Sequence, residues 1–199
     1  PYEVFGSPRR EGFNRYKHGT RENARIAKVY MVERVQPRSI VVGSSRAEMA
    51  YDPAHSGLPQ PGFNLSVEGA GIYEIRRLVQ HALAVAPVEE VLVGLDYFAF
   101  SADRESGRGF EETRLAVQAD GTPTPRRHSD VVEALFSYSA LKLSWKTLAS
   151  ARQRPGYIIN EAGFREIWDD NRDILRKGGF RRAFVENEAV NATGYYGPA

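Results

Sequence analysis

The sequence predicts an α/β domain organised around a parallel sheet. Short β-branched apolar runs at residues 39–42 and 91–95, with another short run at 63–67, have the composition of buried strands. Stretches of helical apolar period alternate with them from residue 20 to residue 100. Such alternation favours parallel strands joined by right-handed crossovers.

Each element has its own justification. Residues 1–19 are rich in Pro, Gly and Arg, lack a period, and read as an extended arm. Thr20, with Asn23 following, reads as a helix cap. Ala24, Ala27, Val29, Tyr30, Met31 and Val35 then give an apolar face that stops before Pro37. The first strand runs into Gly43, read as the residue that lets the chain turn sharply. Residues 46–62, with three prolines and two glycines, read as a loop. After the second strand, Gly69-Ala70-Gly71 leads into a helix whose apolar face is Ile72, Ile75, Leu78, Val79, Ala82, Leu83 and Val85. Pro87 follows it, and the third strand ends at Asp96.

Beyond Phe100 the alternation weakens, and residues 101–199 read as mostly helical and irregular. Residues 101–109 and 120–128 read as loops. Ser129 caps a helix carrying Val132, Leu135 and Phe136, and a second helix is expected over 139–152. Tyr157-Ile158-Ile159 reads as an edge strand with a turn at 161–163, and residues 171–177 as a helix ended by Gly178-Gly179.

Composition excludes several function classes. The chain has 199 residues, 42% apolar and 26% charged, with a formal net charge of +2. Its Arg pairs are scattered, so no basic stripe argues for nucleic acid. The absence of cysteine rules out disulfides, thiolate metal sites and a cysteine nucleophile. No apolar run approaches the roughly 18 residues of a membrane span. The chain begins at Pro1 and ends in Gly194-Tyr195-Tyr196-Gly197-Pro198-Ala199, so a fragment is expected.

The chemistry concentrates at three strand-to-helix turns that a parallel sheet brings to one edge. Gly43-Ser44-Ser45 offers a hydroxyl nucleophile. The turn ending in Gly69 offers a backbone N–H of the kind that stabilises an oxyanion. The third turn is Leu95-Asp96-Tyr97-Phe98. Arg46 is read as holding a carboxylate or phosphate, or as a surface ion pair. Asn64 either orients its turn or contacts the site, and Asp96 either pairs with Arg46 or caps the next segment. Tyr97, Phe98 and Phe100 either floor a pocket or pack in the core. Glu48, Asp52 and His55 form a candidate local acid/base set, weighed against solvated loop residues. His81 reads as packing within its helix.

These turns resemble the SGNH (GDSL-type) hydrolases. Val42-Gly43-Ser44-Ser45 resembles their Gly-Asp-Ser block, with Ser44 in place of Asp. Asn64-Leu65-Ser66-Val67-Glu68-Gly69 resembles their Asn-x-x-x-x-Gly block. The strand over 91–95 matches the third block but supplies no Asn. The style is closest to bacterial envelope proteins of the D-alanine transfer and alginate O-acetyltransferase type. The resemblance implies a three-layer, flavodoxin-like α/β domain of SGNH type, truncated at its C-terminal side. It implies Ser45 as nucleophile and Gly69 as backbone oxyanion donor, with Ser44, Arg46, Asn64, Asp96 and Tyr97 around the substrate. The implied substrate is a small-molecule or polysaccharide ester, with no cofactor and no metal. The implied setting is the bacterial periplasm or an extracytoplasmic membrane surface, with any membrane association supplied by sequence upstream. The family's base comes from a late Asp-x-x-His block. The four histidines, His18, His55, His81 and His128, are all read as lacking an Asp at that spacing, so the base is expected from sequence outside this chain. The rival reading is a non-catalytic module of the same fold that binds a polysaccharide or a partner protein.

Overall fold

The structure, a computed structural model, describes residues 9–15, 23–100, 109–125, 136–152 and 157–167. It also describes Gly6, Thr20, Gly107, Val132, Arg176, residues 178–182, residues 184–186 and Ala189. The chain divides into two compact units, Pro1–Glu166 and Ile167–Ala199. The first holds a mixed α/β arrangement around a three-stranded parallel sheet.

Helix α1 spans Ala24–Val35. Asn23, not Thr20, occupies its N-cap position, and no side chain caps it there. Gln36 ends the helix in the left-handed conformation, φ 52°, and returns its N–H to the Val32 carbonyl. Pro37 then keeps the chain extended into β1, Ser39–Gly43, every residue of which is buried.

The segment expected as a loop begins with a helix. Helix α2 spans Ser45–Ala50, capped by the Ser44 hydroxyl, which accepts the Arg46 N–H. Strand β2 is only Gly62–Asn64, shorter than the expected 63–67. Its continuation nevertheless stays beside β1: the Leu65 N–H reaches the Val41 carbonyl and the Val67 N–H the Gly43 carbonyl. Helix α3 spans Ile72–Val85 and β3 spans Glu90–Gly94. The sheet order is β2-β1-β3, all parallel.

One face of the sheet carries the core. Ile40 and Val42 of β1 pack with Phe63, Leu65 and Val67, under Val29 and Val32 of α1 and Ile75, Leu78 and Ala82 of α3. The apolar face expected for α3 is partly wrong, because Ile72 and Leu83 are exposed while Glu74 and Arg77 are buried. Both charges have partners: Arg25 Nε sits 2.7 Å from Glu74 Oε1, and Arg77 donates to the Val117 and Gln118 carbonyls. Asn64 alternates with Phe63 and Leu65 along the strand, so it points to the opposite face, where it meets α2. Strand β3, expected to be buried, is largely open. Leu92 and Val93 are both exposed, and among the described residues no strand pairs with its outer edge.

Past the sheet, the helix expected from Ser129 lies outside the described residues apart from Val132 and Phe136. Helix α4 spans Tyr138–Ala149, with Ser137 accepting the Ala140 N–H as its cap. Strands β4, Tyr157–Ile159, and β5, Arg165–Ile167, pair as a second small sheet; no pattern in the sequence predicts β5. The turn between them sits on the outer edge of β2, where the Ala162 carbonyl accepts the Asn64 N–H. Gly163 is needed there. Its φ is +74°, and a Cβ would lie 2.3 Å from the Asn64 carbonyl oxygen.

The second unit is described only in part. In it Phe180 and Phe184 stack with centroids 6.2 Å apart, and Arg182 pairs with Glu186 one turn on. The helix expected over 171–177 lies outside the described residues except Arg176.

Candidate active site

The site begins with two glycines. Gly43 of β1 and Gly94 of β3 face each other in register. A Cβ at Gly43 would lie 2.7 Å from Ala47 Cβ, and one at Gly94 would lie 2.8 Å from it. Gly43 is not among the described glycines with positive φ, so it is not present to make the turn. It is present because α2 descends onto the strand ends, a closer approach than any side chain permits.

That approach aligns three turns. Gly43 pairs with Gly94 on one side and accepts the Val67 N–H, at 3.1 Å, on the other. Ser45 and Asp96 therefore each stand two residues past one shared level of the sheet, and Gly69 stands three past Ser66, which continues that level beside Gly43. Gly69 is left-handed, φ 69°. The chain runs from β1 to its neighbour β2 and then crosses to β3 on the far side of β1. Such a reversal of strand order opens a crevice at the carboxyl ends of the strands.

Two adjacent serines have different surroundings there. The Ser44 hydroxyl is buried and fully used: it donates to Asp96 Oδ2 and accepts the Arg46 N–H at 3.2 Å. Arg46 Nη1 lies 3.2 Å from Asp96 Oδ1, and its guanidinium stands 5.7 Å from the centre of the Phe98 ring. Ser44, Asp96 and Arg46 thus form a lock between the β1 and β3 turns. Of the two expected readings of Asp96, the ion pair with Arg46 is the one realised. Ser45, half-buried at the first position of α2, takes no part in the lock.

The other two expected substrate contacts, Asn64 and Tyr97, have opposite surroundings. Asn64 is wholly buried. Its amide donates to the Ala47 and Tyr51 carbonyls at 3.0 and 2.9 Å and its oxygen accepts the Ser66 N–H. It clamps α2 to the second turn and has no surface for a ligand. Tyr97 is 96% exposed and so does not pack in the core; Phe98 is the ring beside Arg46.

The expected acid/base set does not assemble. Glu48 points into the protein interior, Asp52 Oδ1 accepts the Ala54 N–H, and His55 Nδ1 accepts the Gly57 N–H. Asp52-Pro53-Ala54-His55 does have the Asp-x-x-His spacing. However, a ring nitrogen that accepts from Gly57 cannot donate to Asp52, as the triad arrangement requires. His81 is buried, with Nδ1 accepting the Ala116 N–H at 2.9 Å and Nε2 facing the Val29 carbonyl at 3.1 Å. This fixes a neutral ring in a packing role. His18 and His128 lie outside the described residues. Among the described residues, no group of three or more His, Asp or Glu is placed to hold a metal ion.

A charged cluster unforeseen from the sequence lies behind the site. Lys28 of α1 is fully buried; its ammonium reaches Glu48 Oε1 at 2.9 Å and the Ser66 carbonyl. Arg165 of β5 approaches Glu48 Oε2 at 3.5 Å and lies 3.7 Å over the Tyr157 ring. Burial pulls the Lys28 ammonium below its ordinary range, Glu48 partly restores it, and Arg165 lowers it slightly further. Beside the cluster is a cavity of about 170 Å³ lined by Arg25, Glu48, Glu68, Tyr157 and Arg165. The one sequence signal is Lys28 itself, a charge between Ala27 and Val29 on a helix face that is otherwise buried.

No protein-family model, curated protein or solved structure matches this chain. The functional reading therefore rests on the geometry of the strand ends and on residue chemistry.

Proposed function

We propose that this chain is a serine-dependent esterase or O-acyltransferase of SGNH type on a flavodoxin-like sheet. Its substrate would be an ester of the bacterial envelope or of a polysaccharide. One observation carries the reading: Ser45, Gly69 and Asp96 all stand within two or three residues past the ends of three adjacent chain segments, at the point where the strand order reverses. The order β2-β1-β3 is also the first part of the flavodoxin-like order.

In this reading the Ser45 hydroxyl attacks the acyl carbon and its proton passes to a base. The oxyanion is met by the backbone N–H groups of Ser45 and Gly69. The tetrahedral intermediate expels the alcohol, which takes up the proton, and leaves an acyl-serine. Water or a second hydroxyl then accepts the acyl group and Ser45 regains its proton. The base comes from outside the described residues, since both described histidines have ring nitrogens committed to backbone groups. That same commitment favours the second reading, a binding module of the same fold without catalysis.

Labelling with a fluorophosphonate probe separates the two. Wild type is expected to take up the probe, Ser45→Ala to lose it, and any Ser44→Ala variant that remains folded to keep it. No uptake by wild type would favour the binding module. Equal uptake by Ser45→Ala would remove Ser45 from the mechanism.

A further inference from the structure

Helix α4 is amphipathic, and its two sides have opposite fates. Ala140, Leu143 and Thr147 are buried. Tyr138, Leu141, Trp145 and Leu148 are exposed, the first three at 80%, 70% and 73%. Their spacing of three, four and three residues confines them to an arc of about 80° on one side of the helix. Lys142 and Lys146 border that stripe, and Arg152 follows the helix end. From residue 134 to residue 160 the sequence contains no Asp or Glu.

We propose that this face of α4 binds the surface of an anionic lipid bilayer. The helix is already fixed to its own domain by one side and presents a single narrow stripe, which is all that binding in an interface plane requires. Two features favour a bilayer over a protein partner. Trp and Tyr are the residues most at home at the headgroup level, and both are in the stripe. The bordering charges are all positive, which suits anionic headgroups. The helix lies in the interface plane: no helix among the described residues is long and apolar enough to cross a membrane. This contact is separate from the ester chemistry proposed above, and from any anchor upstream of the chain.

The test uses Trp145 as its own reporter. The chain has two tryptophans, so Trp168→Phe leaves Trp145 alone. With vesicles of mixed phosphatidylcholine and phosphatidylglycerol, Trp145 emission is expected to shift to the blue and the protein to co-sediment. Each cation near the surface strengthens binding roughly fivefold, so Lys142, Lys146 and Arg152 together favour anionic over neutral vesicles on the order of a hundredfold. Lys142→Glu with Lys146→Glu should abolish that preference. Leu141→Ser with Trp145→Ser should abolish co-sedimentation; both changes are at exposed positions and should leave the circular dichroism unchanged. Absence of a blue shift, or co-sedimentation unaffected by these variants, overturns the proposal. So does a dimer in light scattering that Leu141→Ser disrupts, which would give the stripe to a second copy of the chain.

Discussion

Glu48 is the residue on which the interior behind the site depends, and Glu48→Ala tests this directly. In the native protein Lys28 is fully buried and its ammonium is held by Glu48 Oε1 at 2.9 Å and by one backbone carbonyl. Removing the carboxylate leaves the buried Lys28 ammonium without a counter-charge and with the Arg165 guanidinium nearby, which costs about 3–5 kcal/mol. A second estimate bounds this from above. The lysine can escape by losing its proton, and neutralising a group of ordinary pKa near 10.5 at pH 7 costs about 5 kcal/mol. The two figures agree. A loss of that size is a large part of the roughly 5–15 kcal/mol that holds a typical domain together. For a chain of this length it lowers Tm by roughly 6–20 °C. The assay is urea unfolding at pH 7 followed by circular dichroism, with the slope checked against wild type so that a shift in midpoint reports stability alone. The companion variant Lys28→Met with Glu48→Leu removes both charges and should recover more than half of the loss, because apolar replacements of a buried pair are often neutral or better. A loss below about 1 kcal/mol in Glu48→Ala would refute the buried-pair argument. A double variant no better than the single would refute it too.

Two further outcomes rest on the same geometry. Ser44→Ala removes both a helix cap and the hydroxyl that Asp96 accepts, and should cost about 2–4 kcal/mol in chemical denaturation; Ser45→Ala should stay within about 1 kcal/mol of wild type. Lys28 also makes stability depend on pH. Its folded-state pKa is lowered, so between that value and the ordinary 10.5 the unfolded chain binds more protons than the folded one. Its contribution is therefore full above 10.5 and fades as the pH falls through the folded-state value. The urea midpoint of wild type minus that of Lys28→Met should rise as the pH approaches 10.5, and a flat or falling difference would contradict the assignment.

What the sequence makes legible is whatever local pattern controls. The β-branched run of β1, the period of α1 up to Pro37 and the start of α4 are local, and each is readable nearly to the residue. Helix α2 escapes such a reading because its six residues, good helix formers as they are, are too few to show a helical period. It is held by Ala47 packed over Gly43 and Gly94, and by the Asn64 amide on the Ala47 and Tyr51 carbonyls. The role of Asn64 is hidden for the same reason, since its partners lie 13 and 17 residues away. The Glu48 cluster joins residues 20 and 117 positions apart, a separation no periodicity registers. Strand β3 misleads in the other direction. Its composition is that of a buried strand, yet its outer edge is unpaired among the described residues and Leu92 and Val93, on opposite faces, are both exposed. Composition records what a strand can bury, not whether anything covers it.

The Ser44-Ser45 doublet is where the two levels meet. In the sequence, two serines after a strand make one ambiguous nucleophile. Their surroundings separate them, because Ser44 gives both its hydrogen and its lone pair to structure while Ser45 does not join that lock. The same contact also limits which side chain position 44 can carry. The side chain at position 44 touches Asp96 across the β1–β3 boundary. An Asp at 44 would bring two carboxylates together, and one of them would have to remain protonated. A hydroxyl at 44 instead donates to the carboxylate, leaving Asp96 free to pair with Arg46.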